Sequence, residues 1–317
     1  MRVRRALLSS PPRRVQNGAC VTAASEHSRT IAAVLRLGQT AYPLCLLDTM
    51  AVSEMVKRPT GAMRHFYEWA HSANPMFVPC FTIYTLMEIR RKPELFERFV
   101  EQFSPLPCLM IKGYAQLLDD EVAAYPDPTG VDPCAIAFTP IGGEGNKLTN
   151  LPYLLDLPQH ATQERHWNEA VAEIVEGMVS LVPNFPPESH AYTRDEVRYF
   201  VRTASYSQLI FHAESFVQQM IESGYEIDMD AFPTLKAMTY TVFYKFYSDA
   251  NRQPRQSDAF DVLIAAALPY VEAFITEAHQ ADALNKARRC DAFLDELHVF
   301  TLRDFLSEPP RAPTLRA

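Results

Sequence analysis

Apolar residues in this chain gather into short runs closed by charged or turn-forming positions, and these runs alternate with longer stretches at helical spacing. The run from Pro43 to Asp48 (PLCLLD) is continuously apolar and ends in a carboxylate, the pattern of a strand covered on both faces. Order is expected to begin near Tyr42. Met63, Phe66, Tyr67 and Ala70 share one face of a helix predicted from about Gly61 to Ser72. Phe77 to Cys80 reads as a short strand or its lead-in. Thr82 to Phe103 reads as one or two helices with a break at Pro93, because proline cannot continue a helix from within. Leu109 to Ile111 is a second strand, and Gly113 to Ala124 a helix.

The texture then changes. Pro126, Pro128, Pro133 and Pro140, with Gly142, Gly143 and Gly145, mark 126–150 as loop. Helical spacing returns in Glu169–Leu181, Tyr192–Ser223 and Phe232–Asp249. Asp258 to Leu268 is apolar nearly all round and predicts a buried helix. A strand at Ala273–Thr276, an amphipathic helix at His279–Cys290 and a strand at Leu297–Thr301 follow. Alternating strands and helices imply an α/β fold, a mostly parallel central sheet flanked by helices. The expected organisation is a disordered or targeting extension at 1–41, a first half of the α/β domain at 42–125, a large helical insertion at 126–231, the second half at 232–306 and a tail at 307–317.

Composition narrows the function. With 317 residues, 48% of them hydrophobic, the chain can bury one sizeable core. The net charge of −8 lacks the basic footprint that phosphate binding usually leaves, although carboxylates neutralised by bound metal would contribute to that sign. Cys45, Cys80 and Cys108 lie in apolar runs as small core residues, and the six cysteines form no C-x-x-C pair, which fits a reducing compartment such as the cytoplasm. Arg2, Arg4, Arg5, Arg13 and Arg14 precede the first acidic residue, Glu26, so organellar targeting is the other reading of the extension. The most apolar stretch, Val262–Ile275, is interrupted by Pro269 and Glu272, and no membrane span is expected.

Candidate chemistry rests on carboxylates at element ends. Asp48 closes the first strand, Glu88 lies in the helix after the next strand, Asp258 and Asp261 open the buried helix three positions apart, and Glu277 follows the strand at 273–276. In an open parallel sheet, ligands collect beyond the carboxyl ends of the strands. Carboxylates meeting there repel one another and call for hard cations, Mg²⁺ or Mn²⁺. Two ions about 4 Å apart are the arrangement that activates water and stabilises the leaving oxygen of a phosphodiester. Each position also has a plainer role, as turn residue, helix cap or solvated side chain.

The order of these motifs resembles the PIN-domain family. Its N-terminal motif, L-L-D-T-N-V-L-S-E, is similar to residues 46–54 (LLDTMAVSE), matching at Leu46, Leu47, Asp48, Thr49, Val52, Ser53 and Glu54 with one slip, and with Met50 and Ala51 in place of a frequent Asn. Glu88 in TLMEI, Asp261 in DVLIAAAL and Glu277 after FIT resemble the family's later acidic signals, and residues 299–305 (VFTLRDF) its closing strand. The resemblance covers about 43–125 and 232–306. It implies a metal-dependent ribonuclease in which Asp48, Glu88, Asp261 and Glu277 are catalytic and bind Mg²⁺ or Mn²⁺. Asp258 and Glu272 are neighbouring metal candidates, and Arg90, Arg91 and Lys92 candidates for substrate phosphates. The expected partners are single-stranded RNA, an antitoxin-like protein and a second copy of the chain.

The alternative is a non-catalytic PIN-like binding module for RNA or a protein, with the aromatic stretch Tyr240–Tyr247 either a partner surface or a packed helix face. No G-x-S-x-G elbow, H-E-x-x-H helix or phosphate-loop spacing is present, and His160, His166 and His190 lack ligand spacing.

Overall fold

The computed structural model describes residues 34–37, 40–73, 76–140, 146–156, 192–248 and 255–307. The helix expected at 169–181, the glycine cluster at 142–145, the three histidines above, most of the N-terminal extension and all but the first residue of the tail lie outside these.

In chain order the strands are β1 (Val34–Leu37), β2 (Thr40–Leu47), β3 (Val78–Thr82), β4 (Cys108–Ile111), β5 (Cys134–Phe138), β6 (Ala273–Thr276) and β7 (His298–Thr301). The helices of the first half are α1 (Thr49–Lys57), α2 (Arg64–Ser72), α3 (Ile83–Arg90), α4 (Pro93–Phe103), α5 (Tyr114–Ala124) and α6 (Leu151–Asp156). Those of the second are α7 (Arg194–His212), α8 (Glu214–Glu222), α9 (Pro233–Val242), α10 (Gln256–Ala265), α11 (Ala278–Cys290) and α12 (Leu302–Ser307). The sheet order is β5-β4-β3-β2-β6-β7, parallel except for β5 against β4, and β1 pairs antiparallel with the start of β2. The α/β class expected from the alternation is therefore observed.

Alternation along the strands explains the layers. Leu44 and Leu46 of β2, Val78 and Cys80 of β3, Leu109 and Ile111 of β4 and Phe274 of β6 enter one core, against α3, α9, α10 and α11. Cys45, Leu47, Phe81, Cys108, Ala273 and Ile275 enter the other, against α1, α2, α4 and α12. With both faces covered, these strands are apolar throughout, as parallel strands usually are. The three cysteines assigned to the core are buried.

Four elements depart from expectation. α1 forms directly after Asp48, ahead of the first predicted helix, because Ala51, Val52, Met55 and Val56 bury one face against the sheet. β1 lies within the expected extension, ordered by its pairing with Thr40–Pro43. β5 lies within the expected loop; at the sheet edge its flanking Pro133 and Pro140 cost no ladder bond. α7, in the expected insertion, places Val197 and Val201 in the same core as β2, and its Leu209 joins α5, α8 and α9 in a third, smaller cluster. Pro93 opens α4, as the predicted break requires. Among the described residues, no helix is long and apolar enough to cross a membrane.

Two carboxyls are buried away from the strand ends that would carry chemistry. Glu121 of α5 accepts hydrogen bonds from the Thr234 amide and the Tyr270 hydroxyl, and burial pushes it from an ordinary 4.5 up to about 7. Glu272 accepts from the Leu44 amide, and burial pushes it up to about 8. Between pH 4.5 and these values the folded chain holds protons that the unfolded chain has lost. Their stabilising contribution is complete below about pH 4.5 and falls as pH rises, by about 1.4 kcal/mol per unit for each group. Chemical denaturation between pH 5 and 8 should therefore show a decline that Glu121→Gln and Glu272→Gln together make shallower; an unchanged slope in the double variant would contradict this.

Candidate metal centre

The chain runs from β2 outward to β5, then returns to place β6 on the other side of β2. In an open parallel sheet, ligands collect at the carboxyl ends of the strands beside such a reversal, here β2 and β6. Asp48 follows β2, Glu88 lies five residues into α3 after β3, and Glu277 follows β6. α10 precedes β6 and returns toward its start, so its N-terminal end, with Asp258 in the first turn and Asp261 in the next, lies at the same rim.

Asp48 is 3% exposed and fully engaged. Its Oδ1 accepts from the Ala51 amide at 2.6 Å, capping α1, and its Oδ2 accepts from the Thr276 hydroxyl and the Glu277 amide. Burial raises its pKa from an ordinary 3.8 to about 6 against these donors, and the Asp261 charge adds to the rise. Glu88 is the polar position of a helix whose Leu86, Met87 and Ile89 are buried. It accepts from the Thr49 hydroxyl, and burial, with repulsion from Asp261 and Asp48, raises its pKa to about 7 although Arg91 opposes the rise. Asp261 is also raised, by burial first and then by Glu277 and Asp258, against the pull of Lys245. Asp261 acts on both Asp48 and Glu88, and Glu277 and Asp258 act on Asp261, which ties the five into one electrostatic cluster.

Other expected residues fall elsewhere. Glu272 precedes β6 whereas Glu277 follows it, so Glu272 sits at the opposite end of the strand, five steps and roughly 16 Å away at 3.3 Å per residue, bonded to Leu44. It is not part of the cluster. Arg90 binds Asp156 and the Leu155 carbonyl, pinning α6 to α3. Arg91 lies 5.0 Å over the Phe260 ring, close enough to Glu88 to act on it, and Lys92 is exposed at the start of α4. The aromatic stretch is a packed face: Tyr240, Phe243, Phe246 and Tyr247 are buried. Within it lies the residue that sequence reasoning missed. Lys245, with a fully buried side chain, binds Asp261 and lies 3.9 Å from Asp258. A single cation inside an aromatic run was the available signal, since a buried charge must be paired.

The donors are of the kind a hard divalent ion takes: all oxygen, and raised in proton affinity in a way a cation would reverse. Asp48, Glu88, Asp258 and Asp261 are nevertheless turned toward protein donors, and among the described residues no three His, Cys, Asp or Glu side chains already form a metal-holding group.

Asp48→Asn tests the role of the three donors. An amide has one acceptor oxygen, so at least one donor would face its NH₂. Stability should drop by about 1–3 kcal/mol, read as a lower urea midpoint; an unchanged midpoint would show that the carboxylate is not what those donors require.

No family model, curated protein or solved structure matches this chain.

Proposed function

We propose that the chain is a PIN-like, metal-dependent nuclease that hydrolyses phosphodiester bonds, with single-stranded RNA as the substrate class. One observation carries the reading: Asp48, Glu88, Asp261 and Glu277 lie at or just beyond strand ends and the start of α10, close enough that Asp261 acts on Asp48 and Glu88 and Glu277 acts on Asp261. They also stand at the positions of the family's acidic motifs. The RNA target class comes from that resemblance.

In this reading, Asp48, Glu88, Asp261 and Glu277 supply the carboxylates of a cation-binding rim. When bound, Mg²⁺ or Mn²⁺ supplies Lewis acidity to the phosphoryl oxygen and lowers the pKa of a water. The chain's own task is to hold charge at a fixed place. Ala51, Thr276 and Glu277 fix the Asp48 carboxylate, and the Thr49 hydroxyl fixes Glu88. Arg91, beside Glu88, is the basic residue best placed to meet a phosphate. Lys92 is exposed nearby, while Arg90 serves α6. Without a cation the rim repels phosphate, so substrate binding and cation binding are coupled.

A second reading, the non-catalytic PIN-like module, is favoured by one feature: Lys245 already supplies positive charge at Asp258 and Asp261. Cleavage of a labelled single-stranded RNA pool with Mn²⁺, Mg²⁺ or EDTA separates the two. Glu88→Gln should abolish metal-dependent cleavage, and Thr49→Val, which only frees that carboxylate from its donor, should lower it about 10–100-fold. Wild-type rates in Glu88→Gln would remove the nuclease assignment.

The pH dependence follows in sign. Cation binding needs ionised carboxylates. Asp48 and Glu88, at about 6 and about 7, are increasingly protonated as pH falls through those values. Mn²⁺ affinity should therefore strengthen from pH 5.5 to 7.5, measured by calorimetry with proton release in two buffers; affinity independent of pH would contradict the assigned ligands.

A further inference from the structure

Lys245 occupies an unusual piece of backbone. α9 runs directly into a π-helical turn, Phe243–Tyr247, in which the Ser248 amide donates to the Phe243 carbonyl at 3.0 Å, five residues back. Such wide turns are rare and redirect the side chains they carry. Phe243, Phe246 and Tyr247 around Lys245 are buried, and the Lys245 side chain has no solvent exposure. Its ammonium is delivered into the rim, onto the Asp261 carboxylate and beside Asp258. Asp258 is held from its other oxygen by the Arg255 amide at 2.9 Å, so this end of the rim already has both a donor frame and a positive charge.

We infer that the Lys245 ammonium is the resident cation of the Asp258–Asp261 end, standing where a second divalent ion would otherwise bind, so that the chain takes one ion at the Asp48–Glu88 end. The ion at that end rests on the nuclease reading above; the exclusion at the other end does not. An ammonium is a compact point charge with three donors, and it neutralises one carboxylate where a divalent ion would neutralise two. A second divalent ion beside it would meet like charge and find Asp261 already engaged. The sequence-based expectation of a two-ion site is thereby narrowed to one ion and one lysine.

Calorimetric titration of the full chain with Mn²⁺ alone tests this, comparing wild type with Lys245→Met and following the melting temperature with and without the ion. The variant removes the ammonium that binds Asp261, so it should melt below wild type and regain the difference with Mn²⁺. If Lys245→Met does not fold, Lys245→Gln keeps a donor to Asp261 without the charge. One ion in wild type and two in the variant support both the inference and the nuclease reading. None in wild type and one in the variant support the role of Lys245 and remove the nuclease reading. Equal numbers in the two proteins, whatever the number, overturn the inference.

Discussion

A carboxylate that leaves water must replace the hydrogen bonds it gives up, and at the end of β2 that requirement organises the molecule. Asp48 finds its donors on α1, at the end of β6 and at the amide that opens α11. The same residue therefore starts the first helix, locks the central strand to the strand that returns from the far end of the chain, and sets where α11 departs. Residues separated by more than two hundred positions are joined at one side chain. The backbone repeats the tie, since the Asp48 amide donates to the Ile275 carbonyl at 3.2 Å. Both cores are arranged about these two strands.

The electrostatic consequence is a rim where charge is costly and therefore informative. Burial raises Asp48 and Glu88 toward neutrality, the carboxylates beside them add to the rise, and their hydrogen-bond donors oppose it. A protein selecting only for stability would place apolar residues at these sites, since buried ionic groups are often matched or exceeded in stability by well-packed apolar ones. Here instead the chain orients each carboxylate with its own donor and inserts Lys245 from a π turn. Glu121 and Glu272 make a useful contrast: they are buried and raised too, but each serves a backbone amide away from the rim.

Much of this was legible from residue order. β4, β6, β7 and the buried helix α10 follow from apolar runs bounded by turn or charged residues, and Asp48, Glu88, Asp258, Asp261 and Glu277 stand out because each begins or follows a regular element. What stayed hidden depends on direction or pairing. Glu272 and Glu277 flank the same four residues, and only the polarity of β6 in the sheet separates a rim carboxylate from one at the opposite end of the strand. β1 and β5 exist through their partners, and neither carries a strong local signal. α1 was obscured because Asp48 reads equally as the end of a strand and as the cap of a helix. The ion pair of Arg90 with Asp156, more than sixty residues later, has no signal in residue order.

Crystals of the chain soaked with Mn²⁺, with data collected near the manganese edge, address the central claim most directly. The account predicts one anomalous peak at the rim, ligated by Asp48 and Glu88, with Lys245 still bound to Asp261. No peak at the rim, or one held by other side chains, would contradict it.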